Sequence, residues 1–207
     1  LALANSGCSG FAVADLSDAL QLRKDGLKQR ILLMSSTLSD EALYLISEHQ
    51  IDWVVFHPQH LQQIESIQLE KPIQIWLKIN TGMNRMGIDP QQANEAISRL
   101  QHASSTTAMP FLMSHFASAD QKPSEHVATQ YSCFLNTIAH HQASRSLANS
   151  AAILNYPETA FEWSRPGIVL YGGSPLPNTT GKDLNLTPAM EVNARLLTTH
   201  RCLKGES

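Results

Sequence analysis

Apolar residues fall along this chain in short continuous runs, and between the runs they recur at helical spacing. The runs are Phe11 to Ala14, Ile31 to Met34, Trp53 to His57, Ile73 to Asn80, Phe111 to Phe116, Ser146 to Ser150 and Phe161 to Arg165. Such runs are expected of strands covered on both faces. The intervening spacing predicts helices. Leu16, Ala19, Leu20 and Arg23 form one face, closed by Gly26. Leu38, Ala42, Leu45 and Ile46 form the next, behind a Ser39 cap and the acidic pair Asp40-Glu41. Leu61, Ile64 and Ile67 follow, then Ala93, Ala96, Ile97 and Leu100 behind Asp89-Pro90. A helix starting at Pro123 presents Val127, Tyr131, Phe134, Leu135 and Ile138.

Seven strands alternating with helices, without hairpin signals, predict a parallel α/β architecture. The pattern admits a doubly wound open sheet or a barrel. Seven strands suit an eight-stranded (β/α)8 TIM-type barrel that is incomplete, its strand 1 missing. The first residue is not Met and the last are Lys204-Gly205-Glu206-Ser207, so the chain reads as a piece of a longer protein. After Tyr171 the texture changes. Residues 1–175 are expected to form the barrel (strands 2–8). Residues 176–188, within a stretch rich in Gly, Pro, Asn and Thr, are expected to be a linker. Residues 189–207, where Val192, Ala194 and Leu196 alternate, are expected to begin a separate C-terminal β domain.

Composition changes this picture little. The 207 residues are 43% hydrophobic and 16% charged, enough apolar material for a substantial core. A net charge of −3 without like-charge blocks gives no reason to expect nucleic acid as a partner. No apolar run approaches a membrane span. Three widely spaced cysteines, Cys8, Cys133 and Cys202, make neither a disulfide framework nor a zinc pattern, and a reducing cytoplasmic setting is expected. His57-Pro58-Gln59-His60 is not expected to bind metal, and none is expected elsewhere.

In a parallel barrel, functional groups lie just past the strand C-termini. Lys78, His115, Asn149-Ser150 and Arg165 all fall there, so four strands would deliver polar groups to one rim. Arg165 is followed by Pro166 and Gly167, a join suited to a turn or helix start that approaches something closely. The tail Gly167 to Gly172 is ambiguous between strand and helix by local pattern.

Four segments resemble the signatures of the alanine racemase family: Leu77 to Gly87, Ser114 to Asp120, Leu147 to Ala151 and Arg165 to Gly172. They occur in family order with family-like gaps. The resemblance implies a barrel carrying pyridoxal 5'-phosphate, followed by a β domain, in a homodimer that interconverts L- and D-alanine and supplies D-alanine for peptidoglycan. By resemblance, Arg165 would donate to the pyridine nitrogen, His115 would support it, and Ser150 with the Gly167 and Ile168 N–H groups would hold the phosphate. The 167–172 tail would then be a short helix. Arg85 would meet the substrate carboxylate, and Lys78 matches a lysine that some members carbamylate. Two family groups have no counterpart in this sequence: the lysine that forms the internal aldimine, expected before residue 1, and the catalytic tyrosine, expected after Ser207. No catalytic residue is therefore assigned within the chain, and the chain by itself is expected to be inactive. A broad-specificity amino-acid racemase is the alternative reading, and a non-catalytic pyridoxal-phosphate-binding barrel a more distant one.

Overall fold

Seven parallel strands form one sheet in strict chain order: β1 (Gly10–Val13), β2 (Arg30–Leu33), β3 (Asp52–Val55), β4 (Ile75–Lys78), β5 (Phe111–Met113), β6 (Arg145–Asn149) and β7 (Trp163–Arg165). The computed structural model describes residues 2–34 and 38–206. Leu1 and Ser207, the outer ends of the two expected units, lie outside the described residues. The helices are α1 (Ala2–Asn5), α2 (Leu16–Lys24), α3 (Asp40–Glu48), α4 (Pro58–Ser66), α5 (Ala93–His102), α6 (Glu125–Ile138) and α7 (Ser150–Asn155).

Successive side chains in a strand point to opposite faces, and here both faces are apolar. Ile31, Leu33, Trp53, Val55, Ile75, Leu77 and Leu112 pack outward in one cluster with helix residues such as Leu43, Ile64, Ile97 and Phe134. Leu32, Val54, Trp76 and Met113 point inward and pack with Phe56, Phe111 and Trp163. This is why the runs are continuous rather than alternating. The sheet curls far enough that a Cβ on Gly10 of β1 would lie 3.3 Å from the Trp163 ring of β7. The curl stops short of closure. Among the described residues β1 and β7 are not paired, and a cleft of about 430 Å³ separates them, lined by Phe11, Ala12, Leu32, Trp76, Trp163 and Leu170.

At the lower mouth charge is paired in an apolar setting. Asp52, at the start of β3, accepts from Arg30 and from Trp76 Nε1, each at 2.7 Å. Arg30 also lies 5.1 Å over the Phe111 ring. Burial nevertheless raises the Asp52 pKa, desolvation outweighing both donors.

Several expectations about element ends are corrected. The 73–80 run is a strand only over Ile75–Lys78; Ile73 and Ile79 make isolated bridges to Thr106 and Ile88. Pro123 follows a cis peptide bond and precedes the helix, while Ser124 caps α6 by accepting from Val127 N. Asp89-Pro90 opens a short 3-10 turn (Pro90–Gln92) that leads into α5. On the α3 face Leu38, Ala42 and Ile46 are buried as expected, but Leu43 joins them in place of Leu45, which is 37% exposed. The Gly167 to Gly172 tail is a 3-10 turn over Ile168–Tyr171, as the resemblance implied. Residues 189–203 form no strand, and Val192 and Leu197 are each 93% exposed. Alternation supplies one face of a ladder, but a strand needs an edge to pair with, and among the described residues no strand pairs with this segment.

The contrast on α3 is testable by urea unfolding. Leu43→Ala should cost about 2–5 kcal/mol, while Leu45→Ala should change stability by no more than about 0.5 kcal/mol. Equal losses would show that the helix docks by a different face.

Candidate active site at the upper mouth of the barrel

Three basic side chains meet at the C-terminal ends of β4, β5 and β7. Lys78 is the last residue of β4, with 6% of its surface exposed. His115 lies two residues past β5, and Arg165 ends β7. Register puts Lys78 beside Met113 and Asn149 beside Arg165. Arg165 is tied down on three sides. Its guanidinium donates to Ser146 Oγ and to the Ser114 carbonyl, and lies 3.4 Å from His115 Nδ1. Ser146 is itself buried and donates to the Trp163 carbonyl at 2.9 Å. Arg165 thus spans β5, β6 and β7.

On the next strand end, Asn149 caps α7 by accepting from Ala152 N at 3.0 Å. Its amide nitrogen lies 3.4 Å from His115 Nε2. Ser150 Oγ accepts from Gly167 N at 2.7 Å, joining the start of α7 to the turn after β7. His115, Asn149, Ser150, Arg165, Gly167 and Ile168 line one cleft of about 340 Å³. A Cβ on Gly167 would meet only Ser150 Oγ, at 4.0 Å, so the glycine leaves open space beside the serine. No side chain caps the 3-10 turn at Gly167.

Arg85 sits on the 80–87 loop and is exposed. Asn80 organises this loop: its Oδ1 accepts from Gly82 N and Asn84 N, and its Nδ2 donates to Asn84 Oδ1. Gly87, at φ +142°, closes it, because a Cβ there would lie 2.4 Å from Asn80 N.

The electrostatics of the mouth are one-sided. Burial, then Arg85 and Arg165, pulls Lys78 down to about 8. Burial, then Arg165, Lys78 and Arg85, pulls His115 down to about 4. Burial pulls Arg165 down to about 10, still a cation at neutral pH. Neither the Lys78 nor the Arg85 side chain makes a hydrogen bond or ion pair among the described residues. Uncompensated cations around a cleft create a strong preference for an anionic ligand. His115 faces the donors Arg165 and Asn149, which further disfavours an imidazolium.

A model of the alanine racemase N-terminal domain matches residues 1–175. The chain belongs to the alanine racemase family. It is 38% identical over 203 residues to an alanine racemase of Shewanella amazonensis, covering 98% of this chain and 56% of that protein. To the alanine racemase of Nitrosospira multiformis it is 40% identical over 189 residues, covering 91% and 53%. Among solved structures it resembles the biosynthetic alanine racemase of Pseudomonas aeruginosa, with a TM-score of 0.83 at 33% identity over 89% of this chain and 51% of that one. The alanine racemase of Acinetobacter baumannii follows with a TM-score of 0.79 at 31% identity, covering 90% and 52%. The chain thus spans about half the length of these relatives. Its curled sheet is the barrel fold of the alanine racemase N-terminal domain, present as a fragment.

The family motifs therefore converge in space. Lys78, His115 and Arg165 form one cluster, and Ser150, Gly167 and Ile168 line the adjoining cleft. Arg85 is the outlying member, near enough to act on Lys78 and His115 by charge but forming no hydrogen bond with them among the described residues. Sequence reasoning missed Ser146 and the Ser114 carbonyl as anchors of Arg165. Ser146 stands in an apolar strand run, where a buried hydroxyl is a signal for a buried donor nearby.

The His115 shift carries a pH dependence. The unfolded chain binds this proton near 6.5 and the folded chain only near 4. Stability therefore falls as pH drops from about 6.5 to about 4, and this contribution levels off below that. Urea unfolding across this range should show a shallower loss for His115→Asn than for the parent; identical slopes would mean that His115 is solvated.

Proposed function

We propose that the whole protein is a pyridoxal-phosphate-dependent alanine racemase and that this chain supplies its cofactor site. One observation carries the reading: three cations that form no ion pair among the described residues adjoin a cleft, lined also by Asp120, where Ser150 and a side-chain-free Gly167 leave room for a phosphate. That donor set fits the cofactor, whose anionic phosphate and pyridine nitrogen would meet Ser150 and Arg165. When bound, the cofactor supplies an electron sink that weakens the Cα–H bond of an amino acid.

The chain's own residues tune that sink. Arg165 has only N–H groups to offer and keeps its charge, so it donates to the pyridine nitrogen and holds it unprotonated. A weaker sink favours returning the proton to Cα over transamination. Neutral His115 supports Arg165 without adding charge. Ser150 and the N–H groups of Gly167 and Ile168 hold the phosphate, and Arg85 meets the substrate carboxylate. Lys78, with its pKa near 8, presents a fraction of neutral amine able to add carbon dioxide with loss of one N–H proton to solvent, and the resulting carbamate would supply an anion that orients Arg85.

The proton-moving lysine and tyrosine of the family have no counterpart in these 207 residues, so in our reading the chain by itself does not racemise. The exposed apolar residues of 189–206 support a second, β unit packed beyond the 176–188 linker. We further take the protein to be a cytoplasmic homodimer that provides D-alanine for peptidoglycan. Among the described residues no helix is long and apolar enough to cross a membrane.

The test is racemisation by the full-length protein, assayed on L-alanine, L-serine and a basic amino acid with added pyridoxal phosphate. Selective D-alanine formation is expected; equal turnover of all three would indicate a broad-specificity racemase, and none would overturn the reading. Arg165→Glu should lower racemisation by ~100-fold or more and release a transamination product. Normal racemisation without that product would exclude the role given to Arg165.

A further inference from the structure

Gln130 is the one polar residue on the buried stripe of α6, among Val127, Phe134 and Ile138, and it has no exposed surface. Its amide is used at both ends. Nε2 donates to the His115 carbonyl at 3.0 Å and to Thr81 Oγ1 at 3.3 Å, and Oε1 accepts from Ala117 N at 3.0 Å. Its orientation is forced, because a carbonyl can only accept and an amide N–H can only donate.

The chain of bonds runs on in one direction. Ser114 Oγ gives its hydrogen to the Ile79 carbonyl at 2.7 Å. In the 2.8 Å contact between Thr81 and Ser114, the donor must then be Thr81. Thr81 in turn accepts from Gln130. Each hydroxyl of this chain donates once and accepts once, so no proton is free to reorient. Ser114 is also the residue whose carbonyl receives Arg165. Gln130 thus grips peptides 115–117 directly and reaches the Arg165 anchor through Thr81 and Ser114.

We propose that Gln130 is a positioning residue for the His115–Arg165 pair, locking the backbone after β5 to the loop after β4. The function given to that pair rests on the racemase reading, but the lock does not. A buried side chain that only filled the core would be apolar, as its neighbours on the stripe are. An amide here costs desolvation that its three partners must offset.

The test follows the His115 imidazole by NMR titration, with Arg165, Lys78 and Arg85 as the charges that face it, in this 207-residue chain without cofactor. The parent should titrate near 4. In Gln130→Met the lock is lost, His115 gains solvent, and its midpoint should rise by about one pH unit or more toward the ordinary value. Ala117 N–H should exchange roughly tenfold faster. Thr81→Val removes the Thr81 bonds to Gln130 and Ser114 but leaves those from Gln130 to His115 and Ala117, so it should raise the midpoint less, with Thr81→Ser restoring it. A folded Gln130→Met chain with His115 still near 4 would overturn the proposal. If that variant does not fold, an unchanged midpoint in Thr81→Val does the same. Failure of the racemase reading would show separately, as loss of racemisation in the full-length protein with the His115 shift intact.

Discussion

Arg165 is a cation that burial disfavours and geometry retains. Its guanidinium reaches Ser146 on β6, the Ser114 carbonyl after β5 and His115, so one side chain joins three strand ends. Burial first, and the neighbouring cations including Arg165 after it, push Lys78 and His115 toward neutrality. Replacing it with an apolar residue would leave the Ser114 carbonyl and Ser146 hydroxyl short of a partner. Much of the polar order at the upper mouth follows from keeping this one group hydrogen-bonded.

The barrel treats its two ends differently. At the lower mouth Arg30 meets Asp52, and the pair is closed further by Trp76 and Phe111. At the upper mouth Lys78, Arg85 and Arg165 gather without an ion pair among the described residues, and Asp120 is the one acidic residue lining the adjoining cleft. Paired charge with aromatic cover makes a plug, whereas unpaired charge beside a cleft makes a receptor for an anion. The side-chain-free Gly167 beside Ser150 gives that anion somewhere to sit.

Local spacing made the strand–helix alternation legible, because strands covered on both faces must be apolar throughout and the helices between them on one side only. The chemistry was legible as motif: Lys78, His115, Ser150 and Arg165 could be placed at strand ends before any coordinates. Element ends were less so. Pro123 reads as a helix start, yet Ser124 has the hydroxyl that can cap, and the cap decides. Leu45 and Leu43 are equally apolar, and only the angle at which α3 docks buries one and exposes the other.

What residue type and spacing determined was the parallel α/β class and the polar residues at its strand ends, and the family resemblance of the motifs favoured the barrel over a doubly wound sheet. Tertiary structure decided which atoms hold those residues in place. Ser146, Thr81 and Gln130 lie far from Arg165 and His115 along the chain, and no periodicity links them. Their roles exist only because parallel strands bring successive C-terminal ends to one rim, where each buried donor must find an acceptor.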